Sequence, residues 1–211
     1  MNLTDKLITA FDRGLRVLSN TGLTSSRSSP AHLAEEECNE MTQAERKKVS
    51  TYMRINHAGE IAAQGLYHGQ ILAAQNQALI RQLEQAAQEE MDHLLWCKAR
   101  LAELNSHASW FDPLWYLSCF KLGFFAGIIS NKLSLGLIAA VEQEVYRHLQ
   151  EHIEDIPLAD YKTRAILQQM QQDELKHRTD ALEAGGMVFP EALTSLMFLS
   201  SRVMTKVSYY L

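Results

Sequence analysis

Hydrophobic positions recur with a period near 3.6 along almost the whole chain, and no stretch shows the ladder of alternation expected of strands. The first twenty residues set Asp5, Lys6, Asp12, Arg13 and Arg16 among apolar positions and read as a short amphipathic helix. Residues 19–40 are serine-rich, with Pro30 and an acidic cluster, and form the one clear linker. Thr42 and Glu45 have capping-box spacing and open a helix running to about Ala74. Asn76 caps the next, to about Asn105, whose core-facing stripe includes Leu79, Leu83, Ala87, Leu94 and Leu101. A break follows, then an apolar helix from about Leu114 to Ile129. Another starts at Asn131 or Lys132 and ends near Ile156, before Pro157. A further helix covers about Ala159 to Ala184, where Gly185 and Gly186 supply a stop. The last follows Pro190, with Leu193, Leu196, Met197, Met204, Val207 and Leu211 on one stripe. The pattern predicts an all-α protein in two parts: an N-terminal amphipathic helix with a flexible linker (1–40) and a helical domain (41–211).

Composition narrows this. With 211 residues, 46% of them hydrophobic, the chain suffices for one domain with a substantial core. A net charge of −5 argues against a nucleic-acid partner, which calls for a basic face. Cys38, Cys97 and Cys119 are too widely spaced for a disulfide framework or a zinc knuckle, so a reducing compartment is expected. The N-terminus lacks the apolar core and cleavage site of a secretory signal, and its two early aspartates disfavour a mitochondrial transit peptide. No apolar run reaches the length of an ordinary membrane span. The charge is also unevenly placed. Residues 113–141 and 192–211 contain no acid at all, while the carboxylates gather elsewhere.

Two of those carboxylates begin E-x-x-H motifs, Glu90 to His93 and Glu174 to His177. Residues i and i+3 share a helix face, so each pair can grip one metal ion. Either motif alone is weak evidence, since surface salt-bridging uses the same residues. The spacing adds to it. Glu60 lies 30 residues before Glu90, and Glu142 lies 32 before Glu174. Turns near 75 and 158 would bring each lone glutamate level with an E-x-x-H, about 22–24 Å down each arm. Two such hairpins packed together place Glu60, Glu90, His93, Glu142, Glu174 and His177 at one height, the ligand set of di-iron carboxylate proteins. Glu60 and Glu142 sit among small and apolar neighbours, and their i+4 residues, Gln64 and Tyr146, cannot neutralise them.

Residues 106–131 then serve as the crossover between hairpins. This segment carries Trp110, Phe111, Trp115, Tyr116, Phe120, Phe124 and Phe125, and is too apolar for a water-facing strut. It is expected either to lie on a membrane surface, through about 110–130 and 192–211, or to be buried against another subunit. Oxygen and imidazole ligands suit iron or manganese, and two ferrous ions can together deliver two electrons to dioxygen. A lipophilic substrate would arrive from the bilayer. Tyr67, His148 and His152 are candidates to orient it, and Asp180, Asn56 and His57 to fix ligand orientation, although ordinary packing and surface roles compete for each.

RINHAGE followed by YHGQ, then EEMDHL, AVEQEV and DELKH with Asp180, together resemble the demethoxyubiquinone hydroxylases of ubiquinone biosynthesis, over about residues 45–211. The resemblance implies a ferritin-like four-helix bundle with an apolar crossover helix and an added C-terminal helix. It implies a di-iron monooxygenase using O2 to hydroxylate the ring of a polyprenylated demethoxyubiquinol. Motif by motif, its ligands would be Glu60, Glu90, His93, Glu142, Glu174 and His177. Asn56 stands where the family pattern leads one to expect Asp. The implied location is peripheral, on the cytoplasmic side of a bacterial cell membrane rather than in a mitochondrion. The implied partners are a second copy of the chain or another protein of ubiquinone biosynthesis. Competing classes are another ferritin-like di-iron protein, either a lipid or quinol oxidase or a ferroxidase, and a non-enzymatic membrane adaptor.

Overall fold

The computed structural model describes residues 3–33 and 41–210, so Cys38, the acidic cluster before it and Leu211 lie outside the described residues. Among the described residues seven α-helices follow one another: α1 (Leu3–Ser19), α2 (Gln43–Ala73), α3 (Gln77–Glu103), α4 (Asp112–Ile129), α5 (Asn131–Asp155), α6 (Tyr161–Glu183) and α7 (Glu191–Tyr210), with a 3-10 turn at Pro30–Leu33. No strand occurs among the described residues.

Local chemistry sets the ends. Thr42 and Glu45 exchange the two bonds of a capping box at the start of α2. Asn76 Oδ1 accepts from Ala78 N at 2.8 Å, Ser130 Oγ from Leu133 N at 3.1 Å and Asp160 Oδ1 from Thr163 N at 3.0 Å. Gly185, at φ 97°, turns the chain out of α6.

Helices α2, α3, α5 and α6 form the four-helix bundle. Cross-helix bonds fix their directions. Gln64 Nε2 donates to Ala87 O, and Arg54 reaches Ser106 and His107, so α2 and α3 are antiparallel. Gln171 meets Gln150 while Arg164 meets Ile153, so α5 and α6 are antiparallel too. Tyr67 meets Glu142 and Gln70 meets the Ser134 carbonyl, which sets α5 antiparallel to α2 and parallel to α3. The parallel pair requires a full-length crossover, and α4 supplies it. One apolar cluster, with Val49, Met53, Leu101, Leu149, Leu167 and Met170, fills one part of the bundle; a second, with Tyr67, Leu83, Leu135 and Ile138, fills another. Buried Arg100 on α3 bonds Asp160 and Thr163 at the head of α6.

Helix α4 lies against α2 unusually closely. Gly65 and Gly69 on α2 and Gly123 and Gly127 on α4 leave no room for a Cβ, which would strike Tyr116, Phe120, Leu66 and Ala73 respectively. The outward side of α4 is apolar and exposed at Leu114, Leu117, Leu122, Phe125 (60%), Ile128 and Ile129 (70%). Leu193, Leu196, Leu199 and Val203 of α7 are exposed as well. None of the described helices is long and apolar enough to cross a membrane.

The described part of the serine-rich stretch packs on the bundle. Ser25, Ser26 and Arg27 all bond to Asp92 of α3.

Candidate metal centre

Near the middle of the bundle the helices bury six ionisable side chains together. Each of the two E-x-x-H helices presents its Glu and His on one face, and α2 and α5 each add one glutamate from the opposite side. Glu60, Glu90, His93 and Glu174 form one group; Glu90, Glu142, Glu174 and His177 form the other. Within each, one donor atom per residue lies within 4.8 Å of all the rest, and every member is buried. Glu90 and Glu174 belong to both groups, and the His93 and His177 rings stand 6.5 Å apart. The arrangement has approximate two-fold symmetry.

Both imidazoles aim Nδ1 inward. His93 Nδ1 lies 3.2 Å from Glu90, 3.3 Å from Glu174 and 3.7 Å from Glu60. His177 Nδ1 lies 2.9 Å from Glu90 and 3.7 Å from Glu174. Several of these approaches lack hydrogen-bond alignment: Glu90 Oε1, both Glu174 oxygens and His177 Nδ1 have no hydrogen-bond partner despite being buried. Buried polar atoms that converge without pairing are what a bound cation would satisfy.

Their protonation points the same way. Burial, then the Glu90 charge, pushes the Glu60 carboxyl well above the usual carboxylate range, and burial with Glu174 and Glu90 does the same to Glu142. Burial also opposes ionisation of Glu90, but His177 and His93 outweigh it and hold that carboxyl well below its ordinary value. For His93, burial disfavours the charged ring, yet Asp173, Glu174, Glu60 and Glu90 together raise it well above the imidazole range. Glu174, Glu89 and Glu90 raise His177 against burial in the same way. Fully ionised, the four carboxylates carry four negative charges, which two divalent ions would cancel. Protons and cations therefore compete for the same atoms. Hard oxygen donors with one imidazole per group suit iron or manganese, so the residues present fit a di-iron centre.

Residues 47–208 match the family model described as "Ubiquinone biosynthesis protein COQ7". The chain belongs to this family. It is 46% identical over 209 residues to a 3-demethoxyubiquinol 3-hydroxylase of Marinomonas sp. (strain MWYL1), covering 99% of each chain. It is 45% identical over 207 residues to the protein of that name in Acinetobacter baumannii (strain ACICU), covering 98% of this chain and 97% of the relative. The 3-demethoxyubiquinol 3-hydroxylase of Stutzerimonas stutzeri (strain A1501) is 45% identical over 205 residues, which are 97% of this chain and 94% of the relative.

In this COQ7-family chain the residues around the six differ in part from those expected to support them. Tyr67, a candidate to orient substrate, is buried and donates its hydroxyl to Glu142 Oε1 at 2.8 Å. Burial and the Glu142 charge hold its phenol protonated, well above the ordinary value, so it is a fixed donor. His152 lies away from the six, its Nδ1 3.0 Å from Asn56 Oδ1 and its ring against Tyr52 and His148. Asn56 thus pairs with His152, and His57 sits 3.3 Å from Asp112 at the head of α4. Asp180 is exposed, its backbone carbonyl accepts from Gln82 Nε2 and Ala184 N, and it lines a small cavity beside His177.

The orienting acids are Glu89 and Asp173. His177 Nε2 donates to Glu89 Oε2 at 2.9 Å, and His93 Nε2 to Asp173 Oδ2 at 2.9 Å. Each acid immediately precedes one E-x-x-H and serves the histidine of the other. With Nε2–H committed outward, it is the Nδ1 proton that a cation would displace, leaving the Nδ1 lone pair toward the cluster. The signal was present in the sequence as an extra acid before both motifs, EEMDH and DELKH. Beside His177 and Tyr67 a cavity of about 50 Å³, also lined by Glu89, Leu135 and Ile138, has room for a water-sized molecule and not for an aromatic ring.

Proposed function

We propose that the protein is a monooxygenase that hydroxylates the ring of a polyprenylated demethoxyubiquinol with O2 in ubiquinone biosynthesis. The observation that carries the reading is the pair of buried donor groups, sharing Glu90 and Glu174, in a chain of this family. Relatives similar over nearly the whole length are named 3-demethoxyubiquinol 3-hydroxylases. Glu60, Glu90, His93, Glu142, Glu174 and His177 would hold two iron ions. When bound, the irons supply two-electron reduction of dioxygen, with one oxygen atom going to the ring and the other to water. The chain's own residues do the rest. Glu89 and Asp173 hold the imidazoles in one tautomer, Tyr67 fixes the Glu142 carboxylate, and the packed apolar residues around the centre limit access of bulk water.

On the same reading the protein sits peripherally on the cytoplasmic face of a cell membrane, with α4 and α7 toward lipid. Their exposed leucines, isoleucines and phenylalanine, in stretches without a single acid, support it. These faces also disfavour a ferroxidase, whose bundle would be polar outside. Contact with a second copy or a partner protein is the other use such a face can have.

The test is aerobic incubation of the iron-loaded protein and a reductant with demethoxyubiquinol, reading the product by mass. One added oxygen atom per ring is expected. Iron-loaded protein that consumes O2 yet leaves the ring unchanged would overturn the hydroxylase assignment in favour of an oxidase.

A further inference from the structure

Beyond the six residues, the two halves of the centre are supported differently. In the His177 half, Glu89 is met by Lys176 of α6, whose Nζ lies 3.3 Å from the carboxylate and whose side chain is half exposed. In the His93 half, the cation comes from outside the bundle. Arg27 Nη1 lies 2.8 Å from Asp173 Oδ2, the same oxygen that accepts from His93 Nε2. Arg27 Nε donates at 2.9 Å to Asp92 Oδ2, and the guanidinium lies over the Trp96 ring, 5.0 Å from its centroid. Trp96 itself flanks His93, with 5.4 Å between ring centroids.

Asp92 is the second half of this clasp. It is fully buried and lies among neither donor group. Its two oxygens instead accept from Ser25 Oγ at 3.0 Å, Ser26 N at 2.6 Å, Ser26 Oγ at 2.7 Å and Arg27 Nε. A buried carboxylate so fully engaged pins the backbone that carries Arg27. The guanidinium fork then spans two acids on different helices, which a single ammonium on a flexible stem does poorly.

We propose that Arg27 is a positioning residue for one half of the metal centre, holding His93 through Asp173, so that residues 25–27 make the two cation sites unequal. This rests on the reading that the six residues hold two ions. Loss of Arg27 leaves Asp173 held only through its other oxygen, by Gln169, so that Oδ2 can turn away from His93 and the imidazole loses its fixed tautomer. Outer partners of metal-binding histidines typically change metal affinity by about 10–100-fold. That loss should fall on the group containing Glu60 and His93 alone.

The experiment is anaerobic titration of the full-length protein with Co²⁺, followed by visible absorption, with thermal unfolding of each variant as a control. Wild type is expected to take two ions per chain. Arg27→Ala should weaken one ion by about 10–100-fold and leave the other within a few-fold. Arg27→Lys should recover only part of the loss, and Lys176→Ala should change neither ion by more than a few-fold. In a His93→Ala background, Arg27→Ala should have no further effect on the remaining ion. Should Arg27→Ala not fold, Arg27→Gln, which keeps hydrogen-bond donors without the charge, must show the same selective loss. Equal weakening of both ions, or of neither, in a folded variant overturns the proposal while leaving the di-metal reading standing. Wild type binding fewer than two ions overturns the reading beneath both.

Discussion

Helices α4 and α5 are joined through a single residue, Ser130, and handle their side chains in opposite ways. Helix α5 buries Glu142, at 1% exposure, in the middle of the bundle; α4 leaves Phe125 and Ile129 mostly exposed on its outside. By the usual partition of residues each is in the wrong place. A buried carboxylate is tolerable only with a cation, a proton or hydrogen bonds, and Glu142 has Tyr67 and the cluster around it. An exposed apolar face is tolerable only if something other than water covers it. Chemistry and location are thus assigned to different layers: inner helices carry the charge, outer ones the oil.

Substitutions can separate the layers. The largest effect is expected from Glu174→Ala, because Glu174 belongs to both donor groups. Metal analysis should show both irons lost and no hydroxylated product, with vesicle binding unchanged. Next, Phe125→Ser with Ile129→Ser should leave iron content intact. Large apolar side chains contribute about 1.5–3 kcal/mol each when withdrawn from water, so co-sedimentation with lipid vesicles should weaken by at least about tenfold. Unchanged partitioning together with loss of self-association would assign the face to another copy of the chain. Tyr67→Phe should keep the fold and the phenyl packing but lower turnover by about 10–100-fold through a misplaced Glu142. Turnover equal to wild type would remove Tyr67 from the machinery.

The smallest effect tests the seam between the layers. His68 of α2 sits 2.8 Å from the Tyr116 hydroxyl of α4, and burial holds its imidazole down at about 3. Its folded-state value is thus depressed below the ordinary 6.5. The unfolded chain takes up the proton first as pH falls, so this contribution is complete above 6.5 and declines between 6.5 and about 3. The loss should approach about 1.4 kcal/mol per pH unit within that window. Urea unfolding at pH 7 and pH 5 should show a steeper decline for wild type than for His68→Gln.

Much of this architecture is legible in the amino-acid sequence. Caps at Thr42 and Asn76 and the glycine stop at 185 are local signals, and the helices begin and end close to them. The levels of Glu60, Glu90, Glu142 and Glu174 follow from arithmetic along two hairpins, because a helix advances by a fixed rise. What depends on pairing across the fold is hidden. Glu89 and Asp173 look like solvated helix acids, and the histidines they serve lie 88 and 80 residues away. Arg27 sits in a stretch whose composition suggests a linker, and its acids lie on helices far along the chain. Asp180 stands one turn from His177 on the same helix, but His177 Nε2 donates its hydrogen bond to Glu89 on α3, a pairing that one-turn spacing cannot show.

The glycine contact between α2 and α4 has a mechanical consequence. Gly65 and Gly69 meet α4 backbone within three turns of Glu60 on the same helix, and Gly123 and Gly127 return the contact, so the two rods cannot slide past one another without steric collision. On a bilayer, the depth to which α4 settles would then set the height of Glu60 above the lipid, like a gauge block clamped to a rule. A bulkier residue at Gly69 would force α4 away from α2, and the position of Glu60 relative to the exposed face of α4 would change with it.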